Sequence, residues 1–186
     1  MIRIGLDLSY NSTGMVLFDE EDHTTKFIQI CPGEEKHSLS AELVTYERVY
    51  SDTDDFTINE LNRIRDAKSL ASKIRELVKK YCGTTPCEIR IEAPLMTGFM
   101  KGSKRFRNSN DMVIVNKIVT MYLMDRPLTT FKILPATKIK KAFTGKGNGK
   151  KEKMIEEFFK RLPNFDNTGK VDDLIDAYAL AISDFE

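Results

Sequence analysis

The chain is 186 residues long, 41% apolar and 31% charged, with a formal net charge of +1. Such a chain reads as one globular domain spanning residues 1–186, long enough to bury a sizeable core. No apolar run approaches the roughly 20 residues of a membrane span, which argues against a membrane partner, and the N-terminus lacks the basic, apolar and small-residue order of a secretory signal.

In chain order, Ile2–Leu8 is a buried apolar run and Asn11-Ser12-Thr13-Gly14 a turn signal. Met15–Phe18 resumes the apolar pattern, Asp19–Asp22 turns the chain again, and Thr25–Cys31 is a third strand. Short connections between the three predict an antiparallel meander. Pro32 to Asp55 is irregular, with Leu43–Tyr50 available as an additional strand. From Thr57 to Tyr81 the period becomes helical: Leu61, Ile64, Ala67, Leu70, Ala71, Ile74, Leu77 and Val78 recur at spacings of three and four. Thr57 and Glu60 resemble a capping box at its start. Cys87–Ala93 is a short strand stopped by Pro94, and Leu95–Asn110 a polar, basic loop. Met112–Met124 is a helix, Thr129–Leu134 a strand, and Ala136–Phe143 a short basic helix. The glycine-rich stretch Gly145–Gly149 leads into a helix from Lys151 to Leu162, and Asp172–Phe185 forms the last helix. This order predicts an α/β fold: a central mixed five-stranded sheet, three antiparallel strands then parallel ones, flanked by helices.

The net charge conceals segregation. Residues 1–60 hold 4 basic and 13 acidic residues, whereas residues 132–161 hold 10 basic and 3 acidic ones. Between Lys101 and Arg107 there are four basic residues and no acid. Charge separated in this way suits a polyanion-binding face. Cys31, Cys82 and Cys87 show no zinc or Cys-x-x-Cys spacing, so reduced structural thiols in an intracellular, cytoplasmic protein are expected. His23 and His37 sit in polar stretches and are expected at the surface.

The acids stand out most. Asp7 interrupts Ile2–Leu8, Glu92 ends Glu88-Ile89-Arg90-Ile91-Glu92, and Asp172, Asp173 and Asp176 open the last apolar segment. Carboxylates in or beside core elements are costly unless paired, protonated or bound to metal, and hard cations such as Mg²⁺ take oxygen ligands. Asp173 and Asp176 share a helix face, and Asp172 with Asp176 are four apart. Helix-start chemistry alone accounts for Asp172 and Asp173, less well for Asp176, and for neither Asp7 nor Glu92. Alternation puts Glu88, Arg90 and Glu92 on one strand face. An exposed Arg–Glu pair explains the first two, while Glu92 lies at the strand end where α/β sheets bind ligands.

Four segments resemble the RuvC family of Holliday junction resolvases, within the RNase H-like superfamily. They are Ile4-Gly5-Leu6-Asp7-Leu8-Ser9-Tyr10-Asn11-Ser12-Thr13-Gly14, then Ile89-Arg90-Ile91-Glu92, then Ile139 to Lys151 with its Gly145-Lys146-Gly147-Asn148-Gly149 loop, and Asp173-Leu174-Ile175-Asp176-Ala177-Tyr178-Ala179-Leu180-Ala181. Leu8-Ser9 stands where the family usually has Pro-Gly, Ala93 where bacterial members often have Gln, and Asp172 is an additional acid. These departures point to a divergent branch, such as a viral one acting in its host's cytoplasm.

The resemblance implies an RNase H-like fold and a structure-selective DNA endonuclease that resolves four-way junctions by paired cuts. Asp7, Glu92, Asp173 and Asp176 would bind two Mg²⁺ or Mn²⁺ ions about 4 Å apart, with Asp172 a weaker candidate. One ion would activate the attacking water and the other stabilise the leaving 3′ oxygen, giving 5′-phosphate and 3′-hydroxyl ends. Lys140 and Lys151 match the family's functional lysines by position and would stabilise transition-state charge or hold a phosphate. Phe99, Lys101, Lys104, Arg105 and Arg107, with Lys146 and Lys150, would contact DNA, Phe99 being the better candidate than Phe106 for insertion at the junction centre. A near-two-fold junction implies a C2 homodimer, and no nucleotide cofactor is expected. The competing readings are an RNase H-type or flap nuclease sharing the same acids, an actin- or sugar-kinase-like ATP-binding domain, and an inactive RNase H-like binding module.

Overall fold

A computed structural model describes residues 1–33, 37–49, 53–94, 103–169 and 171–185, with the backbone alone at 103–110. The elements in chain order are β1 (Ile2–Asp7), β2 (Thr13–Asp19), β3 (Thr25–Cys31), β4 (Glu42–Thr45), α1 (Phe56–Cys82), β5 (Cys87–Glu92), α2 (Ser103–Met124), β6 (Thr129–Leu134), α3 (Ala136–Thr144), α4 (Lys151–Arg161) and α5 (Asp172–Ile182). They form a sheet in the order β4-β3-β2-β1-β5-β6. β1, β2 and β3 pair antiparallel, whereas β5 and β6 run parallel to β1. β4 pairs parallel with β3 at the edge, so the sheet has six strands rather than five. That edge strand is four residues long and overlaps the start of Leu43–Tyr50, the stretch available as an additional strand.

Strand alternation sends side chains to two separate cores. Ile4, Leu6, Met15, Leu17, Ile28, Ile30, Ile89 and Ile91 meet α1 and α2 on one face. Val16, Phe27 and Leu134 meet α3, α4 and α5 on the other. This second core is aromatic: Phe158 lies edge-on to Phe27, Phe165 and Tyr178, with ring centroids 5.0–6.1 Å apart. Phe143 of α3 lies edge-on to Tyr178 of α5. The basic helices α3 and α4 are thereby fixed against α5.

Two local expectations need correction. α1 is capped by Asp55, whose carboxylate accepts a hydrogen bond from the Ile58 amide at 3.0 Å, and not by Thr57. α2 begins at Ser103, so the second half of the expected Leu95–Asn110 loop is helix. Its first turns, Ser103–Asn110, are too polar to show apolar periodicity. His23 is exposed, and Cys31, Cys82 and Cys87 are buried free thiols. Among the described residues, no helix is long and apolar enough to cross a membrane.

Candidate active site

The register brings the first two acids together. Leu6 of β1 lies opposite Ile91 of the parallel β5, so Asp7 and Glu92, one residue on, leave the same end of adjacent strands. Both side chains project from the face that carries α5. On the other side Asp7 is paired with Gly14 of β2.

Two glycines let α5 lie directly on this end of the sheet. A Cβ at Gly14 would fall on the carbonyl oxygen of Asp173, and a Cβ at Gly5 on that of Ala177. At Gly5 it would also come within 2.8 Å of the Ala181 amide nitrogen. Any other residue at either position would lift the helix and carry Asp173 and Asp176 away from Asp7. Glycine inside a strand marks such a close backbone approach. In the sequence both residues belong to the first motif, where their role as the floor beneath α5 was not legible.

The four carboxylates feel one another. Burial pushes the Asp7 carboxyl well above its ordinary range, and the charges of Asp176, Asp173 and Glu92 push it further while Lys151 opposes them. Glu92 is raised by burial and then by Asp176, against Lys140. Asp176 is raised to about 6, chiefly by burial, with Asp173 and Asp172 adding to the rise and Lys151 and Lys140 opposing it. Among the described residues, no hydrogen-bond donor serves the carboxylates of Asp7, Glu92 or Asp176. Lys140 of α3 and Lys151 of α4 place ammonium charge on Asp7, Glu92 and Asp176.

Asp172 stands apart. It is half exposed and accepts an ion pair from Lys151 at 2.7 Å, and that contact raises the Lys151 ammonium above its ordinary value. Lys146 and Lys150 are exposed on the loop between α3 and α4, outside the acid cluster. Lys104, Arg105 and Arg107 fall in the first turns of α2, with side chains outside the described residues. Phe99 and Lys101 also lie outside the described residues.

The donor set has the chemistry of a hard divalent cation site. It offers half-buried, mutually repelling carboxylate oxygens, opposed by the ammoniums of Lys140 and Lys151. Among the described residues, no three Asp, Glu, His or Cys side chains converge into a finished cage. A cation between these carboxylates would offset their mutual repulsion.

Glu88 and Arg90 depart from the exposed pair that alternation allowed. Arg90 is 2% exposed. Its Nε donates to Glu88 Oε1 at 2.6 Å, and Lys132 Nζ reaches Glu88 Oε2 at 3.0 Å. This face of β5 is covered by the C-terminal end of α5, so the pair is buried.

Antiparallel strands feeding a parallel pair, helices on both faces and acids at the strand ends define an RNase H-like α/β fold. Within that class the fold is that of RuvC. The Thermus thermophilus RuvC structure superposes with a TM-score of 0.58 at 13% identity, over 97% of this chain and 91% of that one. T. thermophilus RuvC in complex with Holliday junction substrate gives 0.56 at 11% identity, over 97% and 90%. No protein-family model matches the chain, and no curated protein matches it in sequence.

Proposed function

We propose that this protein is a metal-dependent, structure-selective endonuclease that resolves four-way DNA junctions. The observation that carries the reading is the meeting of Asp7 and Glu92 at one end of β1 and β5 with the α5 turn bearing Asp173 and Asp176, seated on Gly14 and Gly5. The RuvC-like fold supports the choice of substrate, since one such neighbour is RuvC in complex with Holliday junction substrate. Asp7, Glu92, Asp173 and Asp176 would hold two Mg²⁺ or Mn²⁺ ions. Bound there, such ions supply an activated water and neutralise charge developing on the phosphodiester. The chain's own part is to orient the scissile phosphate and balance its charge. Lys140 and Lys151 face the acids from α3 and α4, placed to hold a non-bridging phosphate oxygen or the negative charge of the transition state. The acids are half-buried, and the lower local dielectric would strengthen each of these interactions. Hydrolysis would leave 5′-phosphate and 3′-hydroxyl ends, and a two-fold junction would call for a homodimer making two symmetric cuts.

The test is incubation with a synthetic four-way junction, a linear duplex and an RNA–DNA hybrid, each with Mg²⁺, Mn²⁺ or EDTA. Paired, metal-dependent nicks in the junction alone are expected. Preferential cutting of the hybrid would replace the reading with an RNase H-type nuclease, and no cutting in any arm would refute both.

A further inference from the structure

Arg90 connects the strand carrying Glu92 to the helix carrying Asp173 and Asp176. It lies in β5 directly opposite Gly5 of β1. Because Gly5 has no side chain, α5 rests on β1 there and its C-terminal end comes within reach of the guanidinium. Arg90 Nη1 donates toward the carbonyls of Leu180, Ala181 and Ser183 at 3.1, 3.2 and 2.6 Å. Two of these belong to the last turn of α5, whose carbonyls have no partner within the helix. A cation at that end also complements the helix dipole. Glu88 holds the guanidinium from the strand side at 2.6 Å, and the Phe185 ring lies 5.2 Å from it just beyond the helix. The planar fork is locked from several directions in a site almost closed to solvent.

The consequence falls on the acids at the other end of the same helix. α5 is one unbroken helix of 11 residues, so fixing its C-terminal turn fixes the height and rotation of Asp173 and Asp176. A slide of one residue would move them by about 1.5 Å and rotate them by about 100°. Metal–ligand distances tolerate only about 0.2 Å. From this geometry, and resting on the metal-dependent reading above, we infer that Arg90 is a positioning residue. It clamps the C-terminal turn of α5 to β5 and so holds Asp173 and Asp176 in register with Asp7 and Glu92, without itself touching substrate or metal.

Two variants of the full chain test this. Arg90→Met with Glu88→Gln removes the clamp without leaving a buried carboxylate unpaired. Arg90→Lys keeps the charge but cannot span the same acceptors. Mn²⁺ binding is measured by calorimetry on the DNA-free protein, the Mn²⁺ midpoint of single-turnover junction cleavage by gel, and junction affinity in EDTA by anisotropy. The clamp predicts that the double variant needs about tenfold more Mn²⁺, or beyond, in both metal readouts, with Arg90→Lys intermediate and junction affinity in EDTA unchanged. Asp55→Ala, which weakens the distant start of α1, serves as the stability control and should leave the Mn²⁺ midpoint where it is. A folded double variant with wild-type Mn²⁺ affinity would overturn the inference. If that variant does not fold, Arg90→Lys decides by the same readouts. Wild-type protein that neither binds Mn²⁺ nor cuts would bring down the proposed function and the clamp together. Wild-type activity matched by both variants would remove the clamp alone.

Discussion

Asp7 carries the strongest conflict between folding and chemistry. Its carboxyl is raised by burial and by three neighbouring acids, so in the metal-free protein its charge works against the fold. Asp7→Asn should therefore abolish cleavage yet raise the melting temperature measured in EDTA. Loss of several kcal/mol of metal-derived charge stabilisation corresponds to at least about a 10²-fold fall in rate. Each kcal/mol of relieved repulsion would add about 2–4 °C to Tm in a chain of this size. An unchanged or lower Tm in EDTA would show that Asp7 is not strained by its neighbours. The same logic fixes a pH dependence. Asp176 is raised from 3.8 to about 6, so the folded state holds its proton more tightly than the unfolded chain does. The stability this confers is complete below pH 3.8 and is lost as pH rises through about 6. Urea midpoints in EDTA should fall across that window for wild type, and fall less for Asp176→Asn. Asp172 and Asp173 should separate despite being adjacent. Asp172 sits in a half-exposed pair with Lys151, worth at most about 1 kcal/mol, so Asp172→Asn should reduce cleavage only a few-fold. Asp173→Asn, altering an acid that acts on Asp7 itself, should match Asp7→Asn in a single-turnover assay.

Among the elements, α5 governs the site, and its seat on the sheet was the part least visible in the sequence. Periodicity and turn chemistry located β3 and β6 to the residue and α4 and α5 to within a few, because those segments alternate or repeat cleanly between breakers such as Pro135. The acids were legible as candidates because a carboxylate inside an apolar run is costly to bury unless something answers it. Gly5 and Gly14 were not, because a missing side chain announces permission without naming what occupies the space. The burial of Arg90 was not legible for a related reason: alternation reports which face a residue takes, not whether a helix covers that face. Gly14 turns this blind spot into a prediction. Gly14→Ala should place a methyl group against the Asp173 carbonyl, and overpacking of this kind costs about 1–3 kcal/mol. Since the displaced backbone is that of Asp173, the variant should lose Mn²⁺-dependent cleavage more steeply than stability. Asp55→Ala should behave oppositely, losing about 1 kcal/mol of stability with the loss of its cap and no cleavage. Denaturation midpoints and single-turnover rates on the two proteins would decide; equal losses of activity per unit of stability would remove the special status of Gly14.

For the molecule as a whole, the arrangement of charge would let the proposed acidic site accept a polyanion. The acidic turn Asp19–Asp22 lies at the far end of β1, since Ile2 pairs with Asp19 while Asp7 pairs with Gly14. Five residues of strand separate those ends by about 17 Å, roughly two Debye lengths at physiological salt, so repulsion from that turn is largely screened at the site. The basic helices α3 and α4 pack against α5 on the face that carries the acids. Between them the exposed Lys146 and Lys150 extend positive charge outward from Lys140 and Lys151. A phosphate backbone lying along α3 and α4 would meet Lys146 and Lys150 before it reached the carboxylates. Each phosphate contact contributes about −0.9 to the slope of log affinity against log salt on duplex arms. Lys146→Gln with Lys150→Gln should therefore weaken junction and duplex binding alike and flatten that slope by about 2, while Mn²⁺ binding to the free protein stays at its wild-type strength. Anisotropy titrations over a series of KCl concentrations measure the slope directly. An unchanged slope would mean that neither lysine touches a phosphate, and DNA would then have to reach Asp7 and Glu92 by a path that avoids the loop between α3 and α4.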